Sequence, residues 1–235
     1  TFPAPDDRPN RFRVLFISCV GGHEAMKFLS PSVRNRLLRR ALSFQPQAAV
    51  INGDHVYWDL LSPNTAKNYG QSQQALNIAG RFDRAGIVLG GDNETILKKV
   101  VSPQLVSVYG TDFRSTPVFF LMDDHDYFDN DDAFDEIITF PPSHFMLQLG
   151  RAAQRLYYPE FLPDAARPRG LAWSSMSDRP EATSECFGTI RYGRLAEVLL
   201  YDIRRTQTLA GPSAVYIDPE AERWLMNRMK ASEVT

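Results

Sequence analysis

Three short segments of this sequence combine residue types that bind metal ions. Phe16-Ile17-Ser18-Cys19 ends an apolar run in a thiol. Gly53-Asp54-His55-Val56-Tyr57 follows the run Gln47–Asn52. Asp123-Asp124-His125-Asp126 follows the apolar Val118–Met122. Thiolate, carboxylate, phenolate and imidazole are all ligand types; oxygen donors suit hard cations, and thiolate and imidazole suit transition metals. Between Val118 and Asp132, six of fifteen residues are Asp. So dense a cluster repels itself unless cations neutralise it. Asp54, set between the other two groups, could bridge two metals. Such a pair polarises a phosphoryl oxygen and makes hydroxide from water near neutral pH.

Each piece alone has a blander reading. Cys19 could be an inert buried thiol, Gly53-Asp54 a turn, and Tyr57 a packing residue. A solvated loop could carry the acids, but it would not ordinarily follow five buried apolar residues directly. A calcium loop would place Asp at alternate positions around a central Gly, and Asp123–Asp132 contains no Gly.

The elements around these segments must bring them together. Residues 11–19 alternate and then become continuously apolar, as a first strand would. Ser32–Phe44 has helical spacing, with arginines opposite its apolar positions. Gln47–Asn52 is a second short buried strand, which makes a βαβ unit with both strand ends at one edge. A helix is predicted over Glu94–Val108, bent or restarted at Pro103. Pro117–Met122 is the third strand, and ligands bind at the carboxyl ends of such strands. Further helices are predicted at Phe134–Phe140 and from Pro142 to Gln154. A long connection over Tyr157–Glu185 precedes a hairpin, Phe187–Tyr192 with Leu195–Tyr201, turning at Gly193-Arg194. Pro219–Met229 reads as a last helix with Pro near its start.

The chain has 235 residues, a formal net charge of −2 and 43% hydrophobic residues. That suits a sizeable core and excludes a disordered chain. The near-neutral charge gives no strong nucleic-acid signal. No apolar run approaches the roughly 20 residues that cross a bilayer. The two cysteines, Cys19 and Cys186, allow at most one disulfide. Residues 1–10, rich in Pro and Asp, read as a lead-in to a domain over 11–235. Nothing in the sequence assigns a compartment.

The three segments, with Tyr201-Asp202-Ile203-Arg204-Arg205 and the Pro219–Met229 helix containing Glu222-Arg223-Trp224-Leu225, resemble the PhoD-like branch of the calcineurin-like metallophosphatases. The resemblance runs from about residue 11 onward. It implies an α/β fold, an αββα sandwich, and a metal-dependent phosphomonoesterase or phosphodiesterase. It also implies iron and calcium as cofactors and a phosphate ester as substrate. Cys19 takes the first metal-ligand place, Asp54 the bridging place, Tyr57 a phenolate place on ferric iron, and Asp124 a place on the second metal. His125 would contact the phosphate or protonate the leaving group, and Asp126 would orient it. Arg204 could meet the substrate phosphate bidentately; a surface arginine is its alternative. A metal-bound hydroxide would attack phosphorus in line.

The family's late His-containing motifs have no counterpart here. The four histidines are His23, His55, His125 and His144, and none lies beyond residue 144. The expectation is therefore a C-terminally incomplete domain with a partial second sheet. The alternative function is a catalytically inactive module that binds metal or phosphate.

Overall fold

The computed structural model describes residues 9–58, 79–127, 144–159, 161–168, 187–205, 207 and 212–234. The helix expected at Phe134–Phe140, Cys186 and most of the 157–185 connection lie outside them.

Three strands form a parallel sheet in the order β1 (Val14–Ile17), β2 (Ala48–Asn52), β3 (Val118–Leu121). Val14 pairs with Ala48, and Ala49 with Val118, so all three strands end at one edge. Helix α1 (Pro31–Leu42) supplies the crossover from β1 to β2, and α2 (Asp92–Tyr109) leads to β3. The central strand β2 is buried on both faces, which is why it reads as an unbroken apolar run. Its alternation sorts two cores. Ala49 and Ile51 join Leu97, Val100 and Val101 of α2 on the helical side. Val50 joins Leu121 on the other.

A short helical turn, α3 (Asp124–Tyr127), follows β3, and α4 (His144–Tyr157) packs with the helical layer. Strands β4 (Phe187–Tyr192) and β5 (Ala196–Tyr201) form the expected antiparallel hairpin. Val198 and Leu200 face β2 and β3, while Leu199 and Tyr201 face the last helix, α5 (Pro219–Ala231). Asp218 caps α5, its carboxylate accepting from Glu220 N at 2.8 Å, and Pro219 follows in the first turn. The layers thus run helix, sheet, sheet, helix, with a small second sheet. The hairpin covers β2 and β3 but not β1, so Phe16 is 59% exposed.

Pro103 does not interrupt α2, which is one helix from Asp92 to Tyr109. A proline removes one helical N–H bond. Here Val100, Val101, Leu105 and Val108, buried on both sides of it, hold the helix against the sheet.

Candidate metal centre

Each strand end turns abruptly. Beyond β1, Cys19 has φ +56°; beyond β2, Gly53 has φ +79° and Asp54 φ +56°. Left-handed backbone at a non-glycine residue costs about 1–3 kcal/mol and is kept where the surroundings enforce it. Sheet-like bonds carry on into the loops and enforce it here: Cys19 N donates to Gly53 O at 3.2 Å, Gly21 N to Asp54 O at 2.9 Å, and Gly53 N to Leu121 O at 3.0 Å. The contact is close enough to need glycine twice. A Cβ on Gly21 would lie 2.4 Å from the His55 carbonyl oxygen, and one on Gly53 would lie 2.2 Å from Asp123 Cβ.

The Asp126 carboxylate, 1% exposed, is the anchor. Its oxygens accept from the backbone N–H groups of Asp54 (2.8 Å), His55 (2.8 Å), Val56 (2.9 Å) and Asp123 (3.0 Å). These successive amides form a small anion cradle. Burial pushes the Asp126 carboxyl well up, and the amide bonds pull it back. The expected link from Asp126 to His125 is replaced by this one. The carboxylate's oxygens are engaged by backbone, and His125 Nδ1 is buried with no hydrogen-bond partner.

Asp54, 8% exposed, sits at the centre. Its Oδ2 accepts from Cys19 Sγ at 3.2 Å and from the Tyr57 hydroxyl at 3.3 Å, while its Oδ1 is buried without a partner. On its other side, ligand atoms of Asp54, Asp124 and His125 all lie within 4.8 Å of one another. The Tyr57 ring lies over the His125 ring, 4.2 Å between centroids. Burial raises the Tyr57 hydroxyl, helped by the Asp54 charge. Burial also raises the Cys19 thiol, which Ser18 partly offsets. The Asp124 carboxyl is pushed up to about 6, first by burial and then by the neighbouring Asp54 charge. These directions describe partly buried acids beside the Asp54 carboxylate, only partly offset for Asp124 by His125 and Arg204. Thiol and phenol keep protons that a cation would displace.

Arg204 lies on the turn after β5. Its Nε pairs with Asp123 Oδ1, and its Nη1 donates to Gln207 Oε1 at 3.0 Å. It is a partly buried residue beside the acidic loop rather than a surface arginine. Tyr127 donates to Asp202 Oδ2 at 2.7 Å and ties the same loop to β5. The sequence reading did not foresee either pairing. Asp123 and Asp202 lie within two residues of Asp124 and Arg204, and both pairings cross between the acidic loop and the end of β5.

Two histidines are structural. His55 is fully buried and donates from Nε2 to Leu121 O at 2.6 Å; burial lowers it to about 4, so the ring is neutral at physiological pH. His23 caps a short helical turn, Nδ1 accepting from Ala25 N at 3.1 Å. Cys19 is a free thiol. Cys19, Asp54, Tyr57, Asp124 and His125 therefore converge, Asp126 sits beneath them, and Arg204 adjoins through Asp123.

No protein-family model and no curated protein matches the chain. A solved structure of PhoD superposes on it with a TM-score of 0.55 and 14% identity. The alignment covers 100% of this chain and 42% of the PhoD chain. At that identity the likeness concerns the fold alone.

Proposed function

We propose that the chain is a metal-dependent phosphoric ester hydrolase, acting on phosphomonoesters or phosphodiesters. The observation that carries this reading is the grouping of Asp54, Asp124 and His125, whose ligand atoms all lie within 4.8 Å of one another, with Asp54 Oδ1 and His125 Nδ1 buried and without a hydrogen-bond partner. A buried polar atom without a partner is costly, and a cation is a partner that a carboxylate and an imidazole share. In this reading the donor set would serve two cations. Cys19, Asp54 and Tyr57 would hold one, Asp54 and Asp124 the other, with Asp54 common to both. Iron for the thiolate and phenolate and calcium for the carboxylates are the metals proposed from the PhoD-like resemblance. Bound there, the cations would polarise a phosphoryl oxygen and make water more acidic.

The protein's own part is positioning and charge, which phosphoryl transfer mainly requires. Arg204, held toward the acidic loop by Asp123, would exchange part of that pairing for a phosphate oxygen. His125 would donate a proton to the leaving oxygen. Its place among the ligand atoms favours ligation as well. His125→Ala separates the duties: loss of bound metal marks a ligand, and loss of kcat at full metal content marks a proton donor.

A non-catalytic module that binds metal or phosphate is the second reading, since a likeness at 14% identity concerns the fold alone. The test is hydrolysis of p-nitrophenyl phosphate and bis-p-nitrophenyl phosphate by metal-loaded protein, before and after chelation. Turnover that chelator removes and metal restores supports the hydrolase. Metal binding with no turnover on either ester leaves the module.

A further inference from the structure

Tyr57 and Cys19 come from different loops, yet both reach the same oxygen of Asp54. Backbone bonds join the two loops near Gly53 and Asp54, and a side chain from outside both loops joins them again at Tyr57. The side chain that does so comes from α2, a helix that contributes no ligand. Gln104 is 0% exposed. Its Oε1 accepts from Gly22 N at 2.7 Å and from Tyr57 N at 2.8 Å. Its Nε2 donates to Tyr57 O at 3.1 Å and to Val100 O at 2.9 Å. Two acceptor positions and two donor hydrogens are the whole capacity of a primary amide, and all four are used.

We infer that Gln104 is a positioning residue for the metal centre, joining the Cys19–Gly22 turn to Tyr57 so that both ligands are held at Asp54 before a cation arrives. The inference rests on the metal reading given above. Gln104 gives Tyr57 a double grip, through both its N–H and its C=O, and leaves the phenol one remaining freedom, the side-chain torsions. Those are restricted by the Phe28 ring, 4.7 Å from that of Tyr57, and by the His125 ring, 4.2 Å from it. Arg34 supports the same turn, its Nη1 donating to Val20 O at 2.6 Å and Gly21 O at 2.9 Å. The loops also meet directly through Cys19 N–Gly53 O and Gly21 N–Asp54 O; Gln104 adds the side-chain link that reaches the backbone of Tyr57 itself. Second-layer groups that orient ligands typically change metal affinity by about 10- to 100-fold when lost.

The amide, not its volume, is what the role needs. Gln104→Leu keeps size and removes all four bonds. Gln104→Glu keeps the acceptor for the two N–H groups but turns an oxygen toward two carbonyls. Leu97→Ala, in the same helix and equally buried, removes packing but none of the four amide bonds. The probe is Co2+ titrated into reduced apo protein, read in the visible spectrum and by calorimetry, with urea midpoints measured on the same samples. Wild type and Leu97→Ala are expected to bind Co2+ alike. Gln104→Leu should bind it about 10- to 100-fold more weakly and with an altered spectrum, and Gln104→Glu should fall between. Should Gln104→Leu not fold, Gln104→Glu against Leu97→Ala decides the matter. Co2+ affinity of a Gln104 variant equal to that of Leu97→Ala would overturn the positioning role while leaving the metal centre intact. A wild-type protein that takes up no Co2+ would overturn the metal reading, and the role of Gln104 with it.

Discussion

Two buried aspartates show what separates a structural polar cluster from a candidate site. Asp164 is 7% exposed at the hairpin end of the molecule. It accepts from Thr189 Oγ1, from Ala166 N at 2.8 Å, from Trp224 Nε1 at 3.3 Å and from Arg228 Nε at 3.0 Å. Burial alone would push its carboxyl up, but these donors and the Arg228 charge hold it below the usual carboxylate range. Asp124, just as buried, has the opposite balance: burial and the Asp54 charge raise it to about 6, against the weaker pull of His125 and Arg204. The first cluster is complete in itself. The second has like charges and unpartnered atoms, and its backbone is held in a conformation that non-glycine residues avoid. Under the proposed metal reading, a cation would supply the counter-charge this arrangement calls for.

The comparison breaks most sharply at Asp54. Asp54→Asn is expected to weaken metal binding by more than about 100-fold and to abolish hydrolysis. The same change removes a repelling charge and should raise the melting temperature of the apo protein. Calorimetric titration and thermal melts of one preparation check both signs. An apo variant that melts lower would mean that Asp54 is structural, like Asp164.

Asp164→Ala should do the reverse. It leaves Arg228, Thr189 and Trp224 without their shared acceptor and should cost about 2–3 kcal/mol in urea unfolding. Metal affinity is expected to stay at the wild-type value. A change in affinity would mean that the two ends of the molecule are not independent.

Arg204→Ala tests the margin of the site. The expected outcome is a roughly tenfold rise in KM for a phosphate ester at unchanged metal content. A fall in metal content instead would place Arg204 in the support of Asp123 rather than at the substrate.

The smallest effect is the most diagnostic of charge. A carboxyl raised on folding, such as Asp124, holds an extra proton in the folded chain. Its contribution is present below about pH 4 and is lost as the pH rises through about 6. A carboxyl lowered on folding, such as Asp164, contributes above the usual carboxylate range and is lost as the pH falls. Apo protein should therefore lose on the order of 1 kcal/mol between pH 4 and 6 through Asp124, after allowance for solvent screening. Asp124→Asn should remove that loss, and Asp164→Asn should flatten the acid side. Urea midpoints across pH measure both.

The residues that converge at the strand ends were legible because they end apolar runs. Cys19, Asp54 and Asp124 each follow a strand that periodicity reveals, and the βαβ rule alone puts those ends at one edge. What holds them was not legible. Asp126 is one more acid in an acidic run, and nothing local says that it binds three successive amides of another loop. Gln104 is a polar residue on an apolar helix face, visible as an exception but without a partner that sequence could name. The Arg204–Asp123 and Tyr127–Asp202 pairs cross between sheets, and their contacts depend on how the hairpin packs. At Pro103 the sequence predicts a bend or restart, and the helix runs on without a restart because buried residues on both sides hold it.

The most direct test is the metal content of the purified chain, measured by elemental analysis alongside Asp54→Asn prepared identically with iron and calcium supplied. One or two metals per wild-type chain, and none in the variant, is the predicted result. Metal-free wild type, or a variant that retains the same metals, would contradict the account at its centre.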